Sequence, residues 1–183
     1  MTVIGIDPSS KKLAFCVTEF DLPPVLHTKR LPEGILQATG AAFEEAFLCF
    51  RKLPDAAVYM EEPVVGRNMR STIVQAQVGG AVMAAADRAG VPYFELVNNS
   101  HWKKEVLGKG NAKKPDITAW LEENWPEAYT LAQKDQDLID ASCINRYGVQ
   151  RQRLMQAVMN RSRRATQEGG SRQVGGLRRR RSP

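Results

Sequence analysis

Cysteine and histidine are scarce in this 183-residue chain, with only Cys16, Cys49, Cys143, His27 and His101, and none of them is close enough to another to form a CxxC pair or a mixed ligand cluster. That scarcity excludes a disulfide framework and a structural zinc site, and makes the cysteines core thiols. No apolar run reaches the length of a membrane span. The opening "MTVIGIDPSS" lacks the basic and apolar segments of a secretion signal. The expectation is a cytoplasmic protein with no membrane partner. Aromatics make up only 7% of the chain, and Trp102, Trp120 and Trp125 read as packing residues before they read as platforms for stacked bases.

What is present is a 43% hydrophobic chain of a length suited to one ordinary domain with an appendage. Charge is unevenly spread. From Arg146 onward there are 11 arginines against one acid, Glu168, which leaves 15 basic and 19 acidic residues in 1–145. An acidic body with a basic arm points to a polyanionic partner attracted mainly by the arm. The arm, 161–183, is poor in apolar residues and rich in Arg, Gly and Ser, so a disordered tail is expected beyond a folded domain over 1–160.

Within the body, "TVIGID", "KLAFCVTEF" and "PVLHTKR" read as three strands of an antiparallel meander. A helical period follows over 33–53, then a strand over 55–62, a helix from an N-cap at Ser71 to a stop at Gly90, and a fifth strand over 91–97. Two further helices carry "DITAWLEENW" and "DQDLIDASCINRYG". This order describes a mixed-sheet α/β domain. Gly79 and Gly80, each costing about 1 kcal/mol inside a helix, suggest close packing against another backbone.

The stretch "KDQDLIDAS" carries acids into the face that should be buried. At 100° per residue, Asp137 and Asp140 lie about 60° apart on the side of Ala141, Ile144 and Tyr147, whereas Asp135 falls about 160° from Asp137 and is free to meet water or cap the helix. Two inward carboxylates repel and lose hydration unless something positive joins them. Asp7 ends the first strand and Glu61 or Glu62 ends the fourth, and strand ends gather ligand groups at one edge of an open sheet. All-oxygen ligation suits Mg²⁺, with Mn²⁺ able to substitute, and four acids allow two ions for attack of water on a phosphodiester. Each feature also has a plainer reading: acids paired with lysine, an exposed strand end at Glu61 and Glu62, a solvated loop at Lys113 and Lys114, an arginine tail serving solubility.

Taken together, these residues resemble the RuvC family of Holliday-junction resolvases in the RNase H-like superfamily, in its bacterial and bacteriophage versions. The resemblance spans roughly 2–148. "GIDPSSKKLAFCV" is similar to the family's opening strand and hairpin, with Ser9 where glycine is usual, and implies that Asp7 is the first catalytic acid. "VYMEEPVVGRNMRSTIVQAQVGGAVMAAA" resembles the segment with the catalytic glutamate and favours Glu61, since neighbouring strand residues face opposite ways. "HWKKEVLGKGNAKKPDI" resembles the basic segment, implying DNA contacts from Lys103 and Lys114, with Lys114 also offsetting charge at the reacting phosphate; Lys113, beside it in the basic loop, is a further candidate DNA contact. "DQDLIDA" matches the closing acidic helix, implying that Asp137 and Asp140 complete the metal ligands.

The resemblance therefore implies an RNase H-like five-stranded mixed sheet flanked by helices, two Mg²⁺ ions per site, branched DNA as partner and a homodimer. The Gly79–Gly80 helix is the candidate interface, and Arg178, Arg179, Arg180 and Arg181 are expected to add DNA affinity. Rival readings are a broader nuclease of flaps, forks or RNA–DNA hybrids, a non-catalytic basic DNA-binding protein, and an ATPase. The last lacks the further glycine-rich phosphate loops such enzymes need.

Overall fold

The structure, a computed structural model, describes residues 1–19, 22–63 and 69–174, with side chains described as far as residue 163. The chain divides into two units, Met1–Val149 and Gln150–Pro183. The first holds the sheet. Strands β1 (Thr2–Pro8), β2 (Lys12–Glu19) and β3 (Val25–Arg30) form the antiparallel meander. Beside β1, β4 (Ala56–Glu61) and β5 (Tyr93–Val97) run parallel to it, giving the order β3-β2-β1-β4-β5. The helices are α1 (Ile35–Lys52), α2 (Met69–Ala89), α3 (Asn99–Leu107), α4 (Lys114–Asn124), α5 (Pro126–Ala132) and α6 (Gln136–Val174).

Strand alternation divides the core in two. Ile4, Ile6, Val58 and Met60 face α1 and α2, where they meet Ala42, Ala46, Phe50, Val78 and Val82. Val3, Ala57 and Tyr59 face the other way, against Trp102, Ile117, Leu121, Ile144 and Tyr147. Residues 3, 5 and 7 of β1 and 57, 59 and 61 of β4 therefore share the face covered by α6. Burial on both faces explains why β1 and β4 read as nearly continuous apolar runs. Cys16 and Cys143 are buried free thiols, as core residues should be.

How close α6 comes to the sheet is set at Gly5. A Cβ there would run into the Ala141 carbonyl oxygen and the Asn145 amide nitrogen, so the helix backbone rests directly on β1. Asn145 then fastens it. Its buried amide donates to the Val3 carbonyl at 2.8 Å and the Cys16 carbonyl at 3.0 Å, and its Oδ1 accepts from the Thr18 hydroxyl at 3.1 Å.

Four expectations need correction or completion. Helix α2 begins at Met69, so Ser71 lies inside its first turn rather than at its cap. Within the chain, the close packing expected at Gly79 and Gly80 is not found. A Cβ on Gly79 would sit 3.5 Å from Met60 Cε, an ordinary contact, and one on Gly80 would meet nothing within 4 Å. Helices α3 and α5 had no sequence signal assigned to them; α3 is capped by Asn98, whose side chain accepts from the Ser100 N–H at 3.0 Å, and it ends at Gly108 with φ 76°. Finally, α6 continues to Val174, beyond the boundary expected at 160. Low apolar content argues against a packed core, but Arg, Gln and Ala are good helix formers and extend a helix once it is nucleated. Arg178 to Arg181 lie outside the described residues. None of the described helices is long and apolar enough to cross a membrane.

The Gly5 contact yields a prediction. Gly5→Ala must push α6 away from β1, and overpacking of this kind costs about 1–3 kcal/mol. Urea unfolding should register that loss, whereas Gly80→Ala, with open space and a helix-propensity gain of about 1 kcal/mol, should stabilise.

Candidate active site

Asp7 and Glu61 meet because two strands end together. The last paired residues of the parallel ladder are Ile6 and Met60, so the next residue on each strand, Asp7 and Glu61, projects beside the other on the α6 face. Both are buried, 9% and 6% exposed. Glu62 is exposed and points away, with the Asn98 amide 3.5 Å from its carboxylate. The close approach at Gly5 brings the first turns of α6 over these strand ends, and with them the half-buried Asp137 and Asp140. Asp135 caps that helix, its Oδ1 accepting the Asp137 N–H at 3.0 Å.

The four acids feel one another. Burial, then the charges of Glu61, Asp140 and Asp137, hold the Asp7 carboxyl well above the usual carboxylate range. Burial also raises Glu61, opposed by a hydrogen bond from Asn99 and the charge of Lys103; the buried Trp102 indole N–H leans the same way without completing a well-formed hydrogen bond. Of this pair, Asp7 is raised further, because the charges of three other acids add to its burial. Asp140 is pushed up to about 6, by burial first and then by Glu61, against the hydrogen bond from Gln136 and the charges of Lys103 and Lys114.

Polar groups of the protein currently occupy these carboxylates. Asn99 donates to Glu61, Gln136 Nε2 donates to Asp140 at 2.8 Å, and Lys12 Nζ lies 3.0 Å from Asp137 Oδ2. Among the described residues, no three His, Cys, Asp or Glu side chains are already arranged to hold a metal ion. The donor set, four carboxylates at one sheet edge, nonetheless fits a hard divalent cation, because only a positive charge relieves their repulsion at neutral pH. The two lysines of the basic segment, Lys103 on α3 and Lys114 in the first turn of α4, stand near enough to act on Asp140. Lys113 is the exposed cap of α4 and contributes its N–H to Asp116 at 2.8 Å. Beside Asp137 opens a cavity of about 1250 Å³ whose lining includes Lys11, Lys12, Arg30 and Arg70.

Sequence reading missed Asn99, Gln136 and Lys12. Gln136 lies four residues before Asp140 on the same helix, which was a usable signal. Lys12 and Asn99 meet their partners only through the tertiary fold.

These shifts set the sign of a stability effect. A carboxyl whose folded pKa is raised destabilises the folded state as pH climbs from its unfolded value, 3.8 for Asp140, through its folded value of about 6, and the penalty is complete above that. In a chelator at pH 7.5, Asp140→Asn should therefore unfold about 1–3 kcal/mol later than the wild type. The advantage should vanish as pH falls toward 4; an advantage that survives at pH 4 would assign it to packing.

Among known proteins, no protein-family model matches the chain. A protein described as crossover junction endodeoxyribonuclease RuvC, from Chlamydia trachomatis serovar L2, is 31% identical over 149 residues, covering 78% of this chain and 87% of that protein. The solved Thermus thermophilus RuvC superposes with a TM-score of 0.68 at 23% identity, over 84% of this chain and 96% of that one. The same enzyme in complex with a Holliday junction substrate superposes with a TM-score of 0.62 at 24% identity, over 80% and 92%. These likenesses share the five-stranded mixed sheet and its helices, the RNase H-like fold. On its identity to curated relatives over most of its length, the chain belongs to the RuvC family of crossover junction endodeoxyribonucleases.

Proposed function

We propose that this protein is a divalent-metal-dependent endonuclease that resolves four-way DNA junctions. Asp7, Glu61, Asp137 and Asp140 would hold two Mg²⁺ ions, with Mn²⁺ able to substitute. The observation that carries this reading is the burial of Asp7 and Glu61 beside Asp140, with Asp7 and Asp140 both raised by burial first and by neighbouring acids second, an arrangement that is unfavourable until a cation joins it. Ions held by these carboxylates would supply Lewis-acid activation of water and charge neutralisation at the 3′ oxygen of a phosphodiester.

The chain's own residues do the rest. The strand ends of β1 and β4 and the first turn of α6 fix the carboxylates on rigid elements. Asn99 and Gln136 orient Glu61 and Asp140. Lys103 and Lys114 flank Asp140 with two ammonium groups suited to a reacting phosphate, Lys114 being the one assigned to charge that develops in the transition state. Lys113 and the arginines Arg178 to Arg181 would bind phosphates without selecting structure.

Homodimer formation supports junction cutting by setting one site on each of two symmetric strands. The α2 face carrying exposed Ile73, Ala76, Gly80 and Met83, at helical spacing, is the surface we assign to it. Light scattering that shows only monomer, with and without junction DNA, would remove that assignment.

Asp7→Asn should reduce cleavage of a labelled four-way junction by roughly a thousandfold or more while leaving junction binding within a few-fold. Wild-type cutting should need Mg²⁺ and stop in EDTA. Equal cutting of flaps, forks or RNA–DNA hybrids would broaden the substrate. Binding without any metal-dependent nicking would return the acids to a structural role. Deleting 161–183, which removes eight arginines, should weaken binding and flatten its salt dependence equally for junction and linear DNA; an unchanged slope would dismiss the tail as a phosphate-binding arm.

A further inference from the structure

Lys12 opens β2, and its Nζ lies 2.7 Å from both carboxylate oxygens of Asp135 and 3.0 Å from Asp137 Oδ2. It is thus shared between an acid outside the four and an acid within them. Among the described residues, no ion pair within 4.0 Å reaches Asp7, Glu61 or Asp140. Asp137 alone of the four is met by an ammonium, in the position where a divalent ion would need its oxygen. Lys12 and Asp137 also line the same cavity, together with Lys11, Arg30 and Arg70, so an ammonium released from Asp137 remains beside a basic surface open to phosphate.

Resting on the metal reading above, we propose that Lys12 is a resident counter-cation at Asp137: a divalent ion takes up this carboxylate only by displacing the Lys12 ammonium. The Asp137 position therefore loads less tightly than the one among Asp7, Glu61 and Asp140. Asp135 moderates the competition. By holding Lys12 through both its oxygens it draws the ammonium partly off Asp137, while its Oδ1 still caps α6. A plain structural alternative makes the Lys12–Asp135 pair a staple between β2 and α6. The two accounts differ in sign. A staple is lost equally from either end, whereas a competing cation is removed by changing Lys12 and strengthened by neutralising Asp135.

The experiment is Mn²⁺ binding to the full-length protein, followed by the electron paramagnetic resonance of free Mn²⁺, without reference to cleavage. The wild type should show two affinity classes. Lys12→Met should tighten the weaker class by roughly five- to tenfold, and the tighter class should move by no more than about twofold. Asp135→Asn, which keeps an oxygen to cap α6, should weaken the same class. Lys11→Met, which removes an exposed neighbouring charge that makes no contact with Asp137, should leave both classes unchanged. If Lys12→Met does not fold, Lys12→Gln gives the same reading with a hydrogen-bond donor retained. Unchanged binding in Lys12→Met or Lys12→Gln, a matching gain in Lys11→Met, or a shift of the same sign in the Lys12 and Asp135 variants would overturn this inference and leave the metal site standing. No Mn²⁺ binding by the wild type, or binding that Asp7→Asn leaves unaltered, would remove the metal reading and this inference with it.

Discussion

The backbone of α6 rests on Gly5, and the rest of the site depends on that contact. Because β1 has no side chain there, the helix comes within reach of the strand, with Ala141 and Asn145 directly above it. Asp140 precedes Ala141 in the chain, and Asp7 lies two residues beyond Gly5 on the same face. The spacing that lets the helix pack is therefore the spacing that sets the acids against one another. Asn145 holds this arrangement by hydrogen bonds to backbone carbonyls of both β1 and β2. A buried polar side chain that satisfies two carbonyls gives the helix one axial position, which apolar contacts alone would leave free to slide.

What the contact brings together is electrostatically unfavourable. Asp7 is raised chiefly by burial and then by three other acids, and Asp140 by burial and Glu61. The folded chain tolerates this because the opposing terms are spread out: Asn99, Gln136 and Lys12 each meet one carboxylate, and Lys103 and Lys114 act from a further helix pair. No single partner neutralises the cluster. That incompleteness distinguishes a site meant to receive charge from a closed ion-pair network, in which every acid would already have a counterion.

How far all this could be read in the sequence follows from the range of each interaction. Strand parity is a local property, so Asp7 and Glu61 were assignable to one face from alternation and the strand order, and the inward turn of Asp137 and Asp140 follows from the helical period. Both depend on neighbours a few residues away. Lys12 is different, since it meets Asp135 and Asp137 across more than 120 residues, and nothing near "PSSKK" signals the pairing. Asn145 was likewise hidden, because an asparagine within "CINRYGV" carries no mark of the two carbonyls it satisfies. Gly79 and Gly80 make no close backbone contact within the chain. Their spacing invites a close backbone approach, but helix periodicity places one toward the sheet and the other toward open space. The helical course of α6 past 160 escaped a reading based on hydrophobicity, because a helix already nucleated can be extended by residues that offer no apolar stripe.

The placement of the cations completes the argument. Lysines flank the acids on two sides: Lys103 and Lys114 toward Asp140, and Lys12 in contact with Asp137. A phosphodiester entering such a site brings negative charge to a cluster that is already negative, so approach requires positive charge on both sides of the acids and not merely at their centre. On the proposed function, divalent ions at the centre and lysines at the flanks would answer that requirement at two ranges, and the arginine-rich arm would add affinity for a polyanion. Lys12 stands where the two ranges meet. Its ammonium meets Asp137 and lines the same basic cavity, so one side chain belongs both to the acid cluster and to the surface around it.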